Sequence, residues 1–158
     1  MKALPLFTAL PLLALVACGQ PASSGKSEAA GPVAVTGAIC RPTPTGRQVT
    51  GCYLTLTAPA ADTLVSVASP ASALAQVHEM RMESNMMMMR ELEDGLPLPA
   101  GESVALAPGG NHIMLMGVTE PLKTGDTVSL TLTFATAAPV EVTATVGQPA
   151  VAAAHTGH

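Results

Sequence analysis

Hydrophobic and polar residues alternate in short runs along most of the chain. In the run CYLTLT at 52–57, Cys52, Leu54 and Leu56 would lie on one face of a strand and the Tyr and two Thr residues on the other. Pro and Gly clusters interrupt such runs about every 8 to 12 residues, and no segment has the 3.6-residue period of a helix. The pattern predicts an all-β domain, either a sandwich or a barrel.

The same Pro and Gly clusters set the bounds of the predicted strands and of the domain at 33–147. The strands are predicted at 33–40, 48–57, 63–68, 74–82, 87–92, 103–107, 112–118, 127–135 and 140–146. We expect 74–82 and 87–92 to pair as a hairpin that turns at 83–85. Residues 95–101 contain two prolines and are expected to form a loop.

The first 17 residues have the features of an export signal. Lys2 precedes an apolar stretch at 4–16, which is too short and too interrupted by proline for a transmembrane helix. The stretch ends in LVAC, which resembles a bacterial lipobox and implies lipidation of Cys18; the alternative is an ordinary secretory signal cut near Ala17 or Gly19. Residues 18–32 then form the lipidated Cys and a flexible linker. We therefore predict an exported protein, periplasmic or on the cell surface, anchored to the membrane by lipid.

Composition excludes some classes of partner. The net charge of −4 argues against a basic surface that would bind nucleic acid. With 2% aromatic residues, the chain also has very few side chains on which bases could stack. The two remaining cysteines, Cys40 and Cys52, lie on neighbouring predicted strands of an exported protein, where a disulfide persists. A free thiol pair or a metal pair is the alternative, although the spacing is not that of a CxxC motif.

Methionine and histidine are concentrated in one segment. Eight of the nine methionines lie between Met80 and Met116, and the pattern HxMxM occurs twice, starting at His78 and at His112. Methionine usually fills cores, but a run of four at 86–89 alternates on a strand, so two of them must face outward. Imidazole and thioether are ligands that suit soft Cu(I), whereas Zn(II) prefers imidazole, thiolate and carboxylate and Ca(II) prefers oxygen.

The candidate ligands are dispersed along the chain. Ten residues separate His78 from Met89, twenty-two separate Met89 from His112, and Met114 follows two positions later. Only a fold can gather residues at such spacing, and His112 and Met114 would share one face of a strand. We hypothesise that these four side chains meet around one Cu(I) ion.

The ligand spacing and several other segments resemble the periplasmic copper-A chaperone family (PCuAC type). The segments are CYLTLT at 52–57, LPAG at 98–101, LAPGG at 106–110, HIMLM at 112–116 and PLKTGD at 121–126. The resemblance covers about 33–146 and implies a cupredoxin-like Greek-key β-barrel. It also implies that the Cu(I) ligands are His78, Met89, His112 and Met114. Members of the family carry Cu(I) to the binuclear copper-A site of cytochrome c oxidase subunit II, directly or through another copper protein.

We therefore predict a non-enzymatic Cu(I) metallochaperone; the alternative is a copper-buffering or scavenging lipoprotein without a dedicated partner. A blue-copper carrier would need a Cys thiolate beside a His, and a hydrolase would need a nucleophile, a base and an orienting group. Met80, Met86 and Met116 are predicted as auxiliary thioethers. Residues 148–158 are predicted to form a flexible, solvated tail; the alternative is that His155 and His158 form a loose Cu(II) site there.

Overall fold

The computed structural model describes residues 31–150, which form ten β-strands and no helix. Among these residues there is accordingly no helix long and apolar enough to cross a membrane. The predicted export signal, Cys18, most of the predicted linker, His155 and His158 lie outside the described residues, and predictions about them stay predictions. The strands are β1 (Ala34–Cys40), β2 (Val49–Thr57), β3 (Asp62–Ala68), β4 (Ser72–Glu83), β5 (Met86–Glu91), β6 (Leu96–Leu98), β7 (Ser103–Leu106), β8 (His112–Val118), β9 (Thr127–Phe134) and β10 (Val140–Val146).

The all-β prediction is confirmed, and the strand bounds lie within two residues of those predicted. The prediction of a loop throughout 95–101 was wrong, because β6 lies inside it and pairs with β3. Leu96 and Leu98 are buried while Pro97 is exposed. Because β6 ends the order of strands, the missing N–H of Pro97 costs no ladder bond there, and burial of the two leucines decides the conformation.

The strands form a sheet in the order β5-β4-β8-β2-β1-β10-β9-β3-β6, with β7 pairing beside β2. Alternate residues of β2, β8, β9 and β10 are buried in a shared core of aliphatic side chains. The core lacks tryptophan, and most of its large, fully buried side chains are leucines. Cys40 and Cys52 lie opposite each other in the β1–β2 ladder and form a disulfide with an S–S distance of 2.00 Å.

The strand order brings both HxMxM segments together. β4 carries the first segment, β8 carries the second, and the two strands pair antiparallel. On the other side of β4 lies β5, which carries the run of four methionines and ends the sheet. The β4–β5 turn has positive φ at Ser84 (48°) and Asn85 (65°), the conformation of a two-residue hairpin turn whose twist matches that of the strands.

Candidate metal centre

Two histidines form the base of the candidate centre. His78 on β4 and His112 on β8 are direct cross-strand partners, and their ring centroids lie 5.9 Å apart in an edge-on arrangement. His112 is only 6% exposed. The two imidazoles come from positions 34 residues apart in the chain, so the β4–β8 register alone brings them together.

Hydrogen bonding fixes which nitrogen of His112 is free. Its Nδ1 lies 3.0 Å from the carbonyl oxygen of Gly110, in the turn before β8. A carbonyl only accepts, so Nδ1–H donates and the neutral ring keeps its lone pair at Nε2. A backbone carbonyl is one of the groups, with carboxylates and water, that commonly accept from the other ring nitrogen of a metal-binding histidine and so orient it.

His78 is oriented by a chain of two side chains. The amide nitrogen of Gln76 donates to the Glu91 carboxylate, so the Gln76 Oε1 faces His78 and accepts from Nε2–H, with 3.2 Å between these two atoms. The Nδ1 of His78 is buried and has no hydrogen-bond partner among the described residues. A buried polar atom without a partner is costly in the apo protein, and a metal ion is one group that would satisfy this lone pair.

His78 is held in the neutral form that a metal ligand needs. Burial lowers its pKa below the ordinary value of 6.5 and the neighbouring His112 lowers it further, whereas Glu91 acts in the opposite direction. Burial removes the charged form from water, which is why it favours the neutral ring.

This pKa shift predicts how the stability of the apo domain depends on pH. As pH falls through 6.5, the unfolded chain binds a proton at His78 more readily than the folded domain does, so the free energy of unfolding decreases. Urea unfolding at about pH 7.5 and about pH 5.5 measures the decrease. The variant His78→Gln is the control and should lose less stability over this interval. An equal loss in both proteins would contradict the assignment.

Three thioethers and His112 line a common cleft beside this pair. The cleft has a volume of about 330 Å³, and its walls include Met80, Met89, His112 and Met114. Met80 and Met89 are cross-strand partners, and Met114 lies opposite Gln76 on one side and Gly51 on the other. Met89 is 47% exposed, so the cleft is accessible from solvent. The site therefore combines buried imidazole with reachable sulfur.

Three of the four predicted ligands, Met89, His112 and Met114, thus line one cleft, whereas His78 does not line it and lies beside it as the cross-strand partner of His112. Met80, predicted as auxiliary, lines the same cleft. Met116 shares a face of β8 with Met114 but pairs with Val49 and Leu74, one step farther from His112. Met86 pairs with Glu83, and strand alternation puts it on the opposite face of the hairpin from Met89, so the structure does not bring it to the cleft.

Several neighbours of the site were not predicted from the sequence. Tyr53 packs near His112, with ring centroids 6.5 Å apart, and Gly51 and Tyr53 both line the cleft. A Cβ at Gly51 would lie 3.1 Å from the Tyr53 hydroxyl, so a larger residue would crowd this wall. The β2 alternation could have indicated that Gly51 and Tyr53 share a face, but not that β2 lies beside β8.

The chemistry of the donors favours a soft ion. Within residues 31–150, His, Cys, Asp and Glu nowhere gather in threes as a Zn(II) or hard-cation site would need. The two cysteines in this range form a disulfide with each other, so neither offers a thiolate to a metal ion. Neutral thioether and imidazole are the donors that remain, and they fit Cu(I).

The fold and the site define a cupredoxin-like domain of the kind found in PCuAC proteins. The copper-bound PCuAC domain from PmoF2 is 25% identical, with a TM-score of 0.61, over 77% of this chain and 97% of that domain. The solution structure of CuI-DR1885 from Deinococcus radiodurans is 33% identical, with a TM-score of 0.61, over 80% of this chain and 85% of that one. The predicted fold class is therefore confirmed.

The chain belongs to the family described as "Putative lipoprotein LpqE-like", whose model matches residues 33–146. A curated relative, "Putative lipoprotein Lxx21020" from Leifsonia xyli subsp. xyli, is 42% identical over 71 residues. This match covers 45% of the chain and 43% of the relative, so the chain spans less than half of that relative's length.

Proposed function

We propose that this protein is an extracytoplasmic Cu(I) metallochaperone, exported and attached to the membrane by lipid on Cys18. It delivers copper to the binuclear copper-A site of cytochrome c oxidase subunit II, directly or through another copper protein. The observation that carries the proposal is the His78–His112 pair beside a solvent-accessible cleft walled by Met80, Met89 and Met114. The lipoprotein names of the family and of the Leifsonia relative support the lipid anchor.

The copper-bound state of two structural relatives supports copper as the cargo. Within this chain, His78, Met89, His112 and Met114 are the proposed ligands. All four are neutral when they bind, so the loaded site keeps a single positive charge, which suits Cu(I) better than Cu(II). Thioether also survives outside the cytoplasm, where a pair of free thiolates would be oxidised to a disulfide.

The exposure of the ligands suggests the order of release. Met89 belongs to an edge strand and is half exposed, whereas His112 is buried and held by Gly110. A partner's thiolate can therefore replace the Met89 thioether first and the fixed imidazole last. Copper stays Cu(I) throughout, so the transfer exchanges ligands and needs no electron donor.

Transfer to an isolated subunit II fragment tests the delivery role. The Cu(I)-loaded protein is mixed with the reduced apo fragment, and NMR follows the His112 ring and the methionine methyl groups. We expect these resonances to return to their apo positions as the fragment gains copper. The control fragment has its receiving cysteines replaced by serine and should gain none.

Retention of copper by the chaperone in the presence of the reduced fragment would contradict direct delivery. If copper were also retained against every other copper-free acceptor and released only to a chelator, the buffering alternative would be correct.

A further inference from the structure

The hairpin of β4 and β5 carries thioethers beyond the candidate centre. Two pairs of methionines lie directly opposite each other in its register, Met80 with Met89 and Met82 with Met87. Both pairs lie on the face that His78 occupies, because residues two positions apart on a strand share a face. Successive rungs are about 6.6 Å apart. The His78–His112 rung, the inner thioether pair and the outer thioether pair thus form a row that ends near the turn.

The opposite face of the same hairpin has different chemistry. There Glu79 pairs with Arg90, Arg81 with Met88 and Glu83 with Met86. Arg90 and Arg81 both lie within ion-pair distance of Glu79, at 2.8 and 3.9 Å. The site face of the hairpin carries no arginine or lysine between His78 and the turn. One face of the hairpin therefore presents paired thioethers without a basic residue, whereas the other carries two arginines and two glutamates whose charges balance.

The outer pair is not explained by packing. Met82 on β4 is 63% exposed, and Met87 on β5, the strand at the edge of the sheet, is 49% exposed. Long apolar residues on an exposed edge strand risk aggregation, and natural edges usually carry charges instead. Core filling, the ordinary use of methionine, does not apply to side chains this exposed. Their direct opposition across the ladder puts two sulfur donors within reach of one ion.

We propose that Met82 and Met87 form a second binding site for a soft monovalent ion, distinct from the centre at His78 and His112. The outer pair binds Cu(I) through two thioethers and exchanges it with the inner pair of Met80 and Met89. The ion moves by ligand substitution: one thioether bond forms as another breaks, and copper remains Cu(I). The proposal rests on the proposed function, since it assigns a path to and from the same centre.

Titration of the full chain with Ag(I), a redox-inert analogue of Cu(I), tests this site. Methionine methyl groups labelled with ¹³C report each sulfur, and the His112 ring reports the inner centre. We expect the first equivalent to shift His112 and Met114, and the second to shift Met82 and Met87. In the variant Met82→Leu/Met87→Leu, the second step should weaken about tenfold or more while the first is unchanged.

Met88→Leu is the matched control for Met87→Leu. The two residues are neighbours with similar exposure, 46% and 49%, but lie on opposite faces of β5. Leucine keeps the apolar volume and removes the sulfur. Met87→Leu should weaken the second step and Met88→Leu should not. Equal effects of the two substitutions, or unshifted Met82 and Met87 methyl groups through two equivalents, would overturn the proposal.

The same titration separates this proposal from the proposed function. If the first equivalent left the His112 and Met114 resonances unchanged, the inner centre would be refuted, whereas the methyl groups of Met82 and Met87 would still report on the outer pair. Shifts of His112 and Met114 without any shift at the outer pair would retain the chaperone site and refute the second site.

Discussion

Replacing Met114 by leucine is expected to weaken Cu(I) binding by about 100-fold or more. Changes to groups that merely orient a metal ligand cost about 10- to 100-fold in affinity, so loss of a ligand itself should cost at least the upper value. Met114 follows His112 by two positions, lines the cleft, and lies opposite Gly51 and Gln76. Leucine conserves its volume, so the fold should be retained. Competition with a Cu(I) chelator of known affinity measures the change.

Met88→Leu provides the control for the same measurement. It makes the same substitution on the face of β5 away from the cleft and should bind the first Cu(I) as the unmodified chain does. The free energy of unfolding of both apo variants, measured with urea, should differ little from that of the parent. This measurement separates loss of a ligand from loss of the fold. Unchanged affinity in Met114→Leu would remove this residue from the ligand set.

Local features of the sequence predicted most of the fold. The alternation in β2 and β8 and the Pro-Gly turns define these strands because they depend only on residues near in the chain. The turn at 83–85 and the pairing of β4 with β5 were likewise predicted. The segment at 96–98 was not, since three residues with a central proline are too short a run to indicate a strand.

The predicted site depended on information of a different kind. Alternation predicted that His112 and Met114 share a face, but the opposition of His78 to His112 depends on the register between β4 and β8, which are not consecutive. Strand order and register are set by long-range pairing and burial, and shifting the register by one residue would move every side chain to the other face. For this reason the sequence alone could not identify Tyr53, Gly51 or the hydrogen-bonded side chains of Gln76 and Glu91 as neighbours of the site.

Removing the Cys40–Cys52 disulfide is expected to lower the free energy of unfolding by about 3 kcal/mol. The bond is buried, joins directly opposed residues of β1 and β2, and closes a loop between positions 12 apart. For a domain of this size the loss corresponds to a decrease in Tm of about 10 °C. Cys52 also pairs with Ile113, next to His112, so the bond supports β8, which contributes His112 and Met114 to the cleft. Thermal unfolding with and without reductant measures the effect. The Tm of Cys40→Ala/Cys52→Ala should equal that of the reduced parent and should not change when reductant is added. A parent whose Tm is the same in both conditions would show that the disulfide does not stabilise the fold.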